Sequence, residues 1–172
     1  MIGFIDSGVG GLSVLKEVEK LNLGESLIYL KDSKNSPYGN KSYKAIYKIV
    51  RDNVKNLIDI GVNLIVIACN TATAVAIDKL RSEFKNITFV GTEPNIKSPI
   101  RNGKKNILVL CTNATKKHCE HLKNAADCVQ IFPLKNFAKY IDKGKIVNYK
   151  KMFLGIDPLV YDAVVLGCTH YI

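Results

Sequence analysis

Two stretches of the sequence, Asn63–Thr71 (NLIVIACNT) and Asp162–His170 (DAVVLGCTH), match each other position by position and decide the fold. Each has a polar first residue, an apolar run, a small residue and a cysteine followed by two polar residues. Such runs predict buried parallel strands, and ligands of open α/β sheets bind at the carboxyl ends of those strands. A single cysteine there would indicate a small core residue, whereas the repeat favours Cys69 and Cys168 as a paired-thiol site.

The rest of the chain alternates short apolar runs with amphipathic segments. Further strands are predicted at residues 2–6, 27–31, 87–90, 106–112 and 129–132, and helices at 12–21, 42–60, 73–84, 115–125 and within 136–154. Residues 92–99 have the composition of a crossover between lobes. This order predicts an α/β protein of two lobes, residues 1–92 and residues 93–172, each with a mostly parallel sheet flanked by helices.

Composition limits the classes of protein. The 172 residues are 47% hydrophobic and 23% charged, which is ordinary for a globular protein. No apolar run approaches the ~20 residues of a membrane span, and the first residues do not resemble a signal peptide, so we expect a cytoplasmic protein. The net charge is +10, but 22 of the 25 basic residues are lysine, and this shortage of arginine argues against nucleic acid as a partner.

The cysteines allow a metal hypothesis. Their number is odd, five, and no C-x-x-C spacing is present, which indicates reduced thiols in a chain without a secretory signal. The spacing of the second-lobe group fits no zinc pattern, and solvated helix residues are the favoured explanation; the group comprises Cys111, His118, Cys119, His121 and Cys128. Since no dinucleotide fingerprint or P-loop is present either, we predict neither a metal nor an organic cofactor.

Two further features lie beside the predicted thiol site. The glycine-rich turn Asp6–Gly11 follows a strand and precedes a helix, which suits an anion site, or it is a plain tight turn. Asp6 either orients or deprotonates a neighbour, or it caps the turn. His170, two residues after Cys168, either stabilises a thiolate or is a packed histidine.

Four motifs, taken in order, resemble the signatures of glutamate racemase, within the aspartate/glutamate racemase superfamily. They are Asp6–Leu12, Pro37–Ser42, Cys69–Ala72 and Gly167–Tyr171, and Val90–Lys97 is similar to the family's inter-lobe segment. The resemblance spans the chain from Ile2 to Tyr171.

This resemblance implies a cofactor-independent, metal-free isomerase of two α/β lobes with the active site between them. By analogy, Cys69 takes the Cα proton of D-glutamate with help from Asp6, and Cys168 takes that of L-glutamate with help from His170. The expected substrate-binding residues are Ser7, Pro37, Tyr38, Gly39, Asn70, Thr71 and Thr169. The implied role is the cytoplasmic supply of D-glutamate for peptidoglycan, hence cell-wall biogenesis and cell shape. The family allows a homodimer and no membrane partner.

Departures from the family pattern keep alternatives open. Family members continue beyond the position of Ile172, through a segment that packs on the first lobe. They also have a Glu near the second-lobe histidine, at a position where local matching puts Lys139 in this chain. Asn113-Ala114 also replaces an acidic-Gly pair. The alternatives are a shortened relative that binds or regulates with little activity, and a racemase for another amino acid such as aspartate.

Overall fold

The computed structural model describes residues 1–120, 128–145, 148 and 152–171, and nothing is said of the others. The strands are β1 Ile2–Asp6, β2 Leu27–Lys31, β3 Leu64–Ile67, β4 Thr88–Gly91, β5 Asn106–Cys111, β6 Cys128–Pro133 and β7 Ala163–Gly167. The α-helices are α1 Leu12–Glu19, α2 Tyr43–Asp59, α3 Asn70–Glu83, α4 Lys97–Arg101, α5 Asn113–Cys119 and α6 Phe137–Asp142. Short 3-10 turns occur at Tyr38–Asn40, Pro158–Val160 and Thr169–Tyr171.

The strands form two separate parallel sheets. The first has the order β2-β1-β3-β4 and the second the order β6-β5-β7, and every pairing is parallel. The predicted α/β architecture of two parallel sheets flanked by helices is therefore confirmed. The exact division at residue 92 stays a prediction, although all first-sheet strands end by Gly91 and all second-sheet strands begin at or after Asn106.

Each sheet has its own core. In the first lobe, Ile65 and Ile67 of β3 pack with Val50 and Leu57 of α2, and none of these side chains is more than 1% exposed. In the second lobe the central strand β5 supplies an apolar cluster together with β6 and β7. The described helices include none long and apolar enough to cross a bilayer.

The helix boundaries follow local chemistry. The hydroxyl of Ser42 accepts a hydrogen bond from the Ala45 amide at 3.3 Å, so the predicted cap of α2 is confirmed. Helix α3 begins at Asn70, three residues before the expected Thr73, and Cys69 takes the extended N-cap position. The polar residues after Cys69 form the first helical turn, which brings free amide groups to the sulfur.

Candidate active site

The two cysteines of the sequence repeat lie at equivalent places in the two sheets. Cys69 follows the end of β3 and Cys168 directly follows β7, so each thiol stands at the carboxyl end of a parallel strand. Both are free thiols and are only 4% and 6% exposed. They are close enough that a charge on Cys69 contributes to raising the pKa of Cys168. The arrangement is a pair of buried thiols, one from each lobe.

The surroundings of Cys69 both oppose and support a thiolate. Burial, followed by the negative charge of Asp6, raises the pKa of Cys69 to about 11, against the opposing effect of amide N–H groups at the start of α3. The hydroxyl of Ser7 lies 3.8 Å from the sulfur. Burial also raises the pKa of Asp6. A thiolate formed here is scarce but strongly basic, which suits the removal of a proton from a weak carbon acid.

Cys168 has a histidine and a carboxylate as its partners. Nδ1 of His170 lies 3.8 Å from the Cys168 sulfur, and Nε2 of the same ring lies 3.0 Å from Oδ1 of Asp142. The His170 side chain is only 2% exposed and that of Asp142 is 19% exposed. Burial is the main cause that raises the pKa of Cys168. The line from sulfur to imidazole to carboxylate can orient the ring and move a proton to or from the sulfur.

Asp6 caps the glycine-rich turn, as one of its two predicted roles requires, and its other oxygen reaches the second lobe. Its Oδ1 accepts a hydrogen bond from the Gly8 amide at 2.7 Å, which caps the glycine-rich turn. Its Oδ2 accepts one from the Thr169 hydroxyl at 3.0 Å, which joins the first lobe to the residue after the second thiol. A side chain at Gly10 would press on the Thr169 backbone, with its Cβ 2.8 Å from the His170 amide nitrogen. The glycines of this turn therefore let the lobes approach each other.

The Pro37–Gly39 segment is held by a carboxylate that the sequence did not single out. The hydroxyl of Tyr38 donates to Oδ2 of Asp32 at 2.7 Å, and Asn53 bonds to the same oxygen. Burial works to raise the pKa of Asp32, but the hydrogen bonds that it accepts lower it below its usual value. A charged, fully bonded Asp32 fixes the loop that carries three of the expected substrate-binding residues.

Three threonine hydroxyls meet where the lobes touch. Oγ1 of Thr71 lies 2.9 Å from Oγ1 of Thr112 and 3.1 Å from Oγ1 of Thr115, and the latter two are 3.0 Å apart. All three residues are buried. Thr71 was predicted, whereas Thr112 and Thr115 were missed. Their signal was a pair of threonines three residues apart, one at the end of the predicted strand 106–112 and one just after it, where α/β proteins bind ligands.

The explanation given for the other cysteines was wrong in part. Cys111 and Cys119 are fully buried in the second-lobe core instead of solvated, because Cys111 ends β5 and Cys119 lies on the inner face of α5. His118 lies 3.4 Å from Oε1 of Glu93. His121 and the Cys128 side chain lie outside the described residues. Within the described part of the chain, no three His, Cys, Asp or Glu residues are grouped as metal ligands would be.

The sequence is similar to known proteins over almost its whole length. No family model matches it. It is 40% identical to the glutamate racemase of Clostridium novyi over 183 residues, which covers 99% of this chain and 70% of that protein. It is 39% identical to the glutamate racemase of Clostridium botulinum strain Alaska E43, again over 99% of this chain and 70% of the relative. The chain belongs to the glutamate racemase family.

Solved glutamate racemase structures share the fold. The Escherichia coli glutamate racemase, in complex with L-glutamate and the activator UDP-MurNAc-Ala, superposes with a TM-score of 0.83 at 32% identity, covering 99% of this chain and 70% of that one. The Francisella tularensis glutamate racemase in complex with D-glutamate gives a TM-score of 0.81 at 31% identity, covering 99% of this chain and 68% of that one. The two-lobed fold of this chain is therefore that of glutamate racemases.

The acidic partner of His170 differs from the sequence expectation. Local matching to glutamate racemases put Lys139 where the family has a Glu, but the residue that contacts His170 is Asp142, one helical turn further along α6. Lys139 is exposed on the same helix. Lys139 and Asp142 are three residues apart on α6, a spacing that keeps both side chains near the same helix face.

Proposed function

We propose that this chain interconverts L- and D-glutamate without a cofactor, with Cys69 and Cys168 as the two bases. The observation that carries the proposal is the pair of buried thiols, one from each lobe, each with its own polar partner at the carboxyl end of a strand. Inversion at Cα needs a base on one face and an acid on the other. Family membership and the glutamate complexes of the E. coli and F. tularensis enzymes support glutamate as the ligand.

Protons balance over one turnover. From D-glutamate, the Cys69 thiolate takes the Cα proton and becomes a thiol, while the Cys168 thiol gives its proton to the opposite face and becomes a thiolate. The product is L-glutamate, and the reverse sequence uses the same groups with exchanged roles. Asp6 assists proton transfer to and from Cys69, and His170, oriented by Asp142, assists proton transfer to and from Cys168.

The raised pKa of both thiols sets a requirement on the substrate. Because burial keeps them protonated at neutral pH, a thiolate must be stabilised when the substrate arrives. The ammonium group of glutamate supplies a positive charge for this purpose, and its desolvation in the closed site strengthens the interaction. A thiolate with a high pKa is the stronger base, so burial raises reactivity as it lowers the thiolate population.

Hydroxyl and amide groups of both lobes are suited to hold the carboxylates. Ser7, Asn70, Thr71 and Thr169 are all buried near the thiols, and the threonine cluster adds Thr112 and Thr115. Fixed donors of this kind also stabilise the negative charge that develops on the substrate when Cα loses its proton. The roles of these residues, like those of Pro37, Tyr38 and Gly39, are part of the proposal.

The case for a shortened, non-catalytic relative loses one of its supports. That alternative depended partly on Lys139 at the family's Glu position, and Asp142 provides the carboxylate at His170 instead. Supply of D-glutamate for peptidoglycan, a cytoplasmic location and a homodimer follow from the family and belong to the same proposal.

Exchange of the Cα proton tests the reaction directly. The chain is incubated with D-glutamate, L-glutamate or aspartate in D₂O, and loss of the Cα signal is followed by ¹H NMR. We expect exchange with both glutamate enantiomers and much slower exchange with aspartate, and a Cys69→Ser/Cys168→Ser double variant serves as the blank. Exchange no faster than in this blank refutes the proposal. Faster exchange with aspartate than with glutamate would make aspartate the substrate instead.

A further inference from the structure

A cavity of about 330 Å³ lies between the lobes, beside the proposed active site. Its lining, here called the lysine cavity, consists of Lys31, Ser33, Ser36 and Pro37 from the first lobe and Lys139, Asp142 and Lys143 from the second. Pro37 begins the Pro37–Gly39 segment, and Asp142 holds His170 at 3.0 Å. The lysine cavity therefore shares walls with the proposed site, although its other residues have no part in the racemisation.

The charges of the lysine cavity are unbalanced. Three lysines and one acidic residue line it, and Asp142 already accepts hydrogen bonds from Ser36 at 2.5 Å and from His170. Among the described residues, none of the three lysines has a carboxylate within the 4.0 Å of an ion pair. Like charges that line one concave surface repel each other and attract counterions, so a bound anion would stabilise this arrangement.

Size and donor type narrow the class of anion. A volume of about 330 Å³ suits a small molecule and excludes the body of a polymer. Flexible lysine ammonium groups act as point charges for carboxylate or phosphate, and the hydroxyl of Ser33 adds a short-range donor. The walls come from both lobes, with Lys31 at the end of β2 and Lys139 and Lys143 in and just after α6, so an occupant contacts both.

We propose that the lysine cavity binds a small anion with two or more negative charges, a dicarboxylate or a phosphate monoester, at the mouth of the active cleft. Such an anion is held by Lys31 on one side and by Lys139 and Lys143 on the other. If the anion is a dicarboxylate, it is the substrate on its way to the thiols. If it is a phosphate monoester, it is a separate effector. Binding draws the two lobes together, because the ammonium groups that hold the anion belong to different lobes.

Titration with inorganic phosphate tests this site without measuring activity. The ¹H–¹⁵N spectrum of the chain is followed at constant ionic strength, with chloride as the monovalent counterion. We expect saturable shifts of the amides of Ser33, Ser36 and Lys143. A Lys139→Gln/Lys143→Gln variant is expected to bind phosphate roughly tenfold more weakly, and Lys31→Gln, on the other lobe, should weaken it in the same direction.

The control removes the same charge elsewhere. Lys85 and Lys117 are exposed and do not line the lysine cavity, so Lys85→Gln/Lys117→Gln should change the phosphate dissociation constant by less than about twofold. The absence of saturable shifts with both phosphate and D-glutamate overturns the proposal. Equal weakening by the two double variants also overturns it, because the attraction would then come from overall charge.

Two arms separate the sources of the anion. If the substrate is the occupant, D-glutamate shifts the same amides, and Lys139→Gln/Lys143→Gln raises KM for exchange while kcat stays constant. If the occupant is a phosphate monoester, D-glutamate leaves these amides unchanged and phosphate alters kcat. Either result supports the site. The KM and kcat readouts rest on the proposed function, whereas the amide shifts do not, since phosphate binding to an inactive chain would support the lysine cavity while refuting the proposed function.

Discussion

A methyl group added at Gly39 is expected to slow the reaction in both directions by holding the lobes apart. The Cβ of an alanine there would lie 2.7 Å from Cβ and 2.9 Å from Cγ2 of Thr112, across the contact between the lobes. Carbon atoms pack at about 3.5–4.0 Å, so the lobes must separate by about 1 Å. A misplacement of this size costs about 100-fold in rate. The rate of Cα proton exchange of D- and L-glutamate in D₂O measures this loss.

Gly103→Ala is the matched control for this variant. Gly103 has a φ of +73° and nothing within 4 Å of an added Cβ, so alanine there costs about 1–2 kcal/mol of stability without a contact near the site. Gly39→Ala should cost a similar 1–3 kcal/mol through overpacking. We expect the midpoint temperature of thermal unfolding to be lowered in both variants. The rate of Cα exchange per folded molecule should be slowed only in Gly39→Ala. Exchange at the wild-type rate in Gly39→Ala would refute the role assigned to lobe closure.

Three further predictions concern the thiols and their partners. Cys69→Ser is expected to slow exchange from D-glutamate more than from L-glutamate, and Cys168→Ser to do the reverse, because each change weakens the base that begins one direction; equal losses in the NMR assay would contradict the two-base mechanism. Asp142→Asn is expected to lower kcat for exchange from L-glutamate by at least about tenfold, with recovery in Asp142→Glu, whereas an unchanged kcat and pH profile would leave Asp142 a merely structural role. Burial, followed by the charge of Asp6, raises the pKa of Cys69 to about 11, so the folded state keeps a proton that the unfolded chain releases near pH 8.5–9. About 3 kcal/mol of the free energy of unfolding is therefore expected to be lost as pH rises from about 9 through 11. Urea unfolding at several pH values should show this loss in the wild type and not in Cys69→Ser, and the same pH dependence in both proteins would contradict it.

The acidic partner of His170 illustrates a limit of sequence reasoning. Residues Phe137–Asp142 form one short helix, and an alignment shifted by three residues keeps its apolar positions on the same face. Lys139 and Asp142 were therefore equally compatible with the local pattern. The hydrogen bond to His170 decided between them, and that contact joins residues 28 positions apart.

The cysteines show the same limit from another side. The prediction for Cys69 and Cys168 used a repeated strand pattern, and their positions at strand ends followed from it. No such pattern surrounds Cys119, whose polar neighbours suggested solvent, although the side chain is fully buried. Burial on a short helix depends on which face packs against the sheet, and a seven-residue helix is too short to show a clear period.

The sequence by itself determined the alternating strands and helices, the parallel sheets and the placement of both thiols at strand ends, because each of these follows from local apolar patterns and from the side on which parallel strands end. Tertiary structure alone decided what the thiols meet. The Thr169–Asp6 bond, the Thr71–Thr112–Thr115 cluster and the lysine cavity all join residues of different lobes. Such contacts depend on how two sheets pack against each other, and no local pattern in the sequence contains that information.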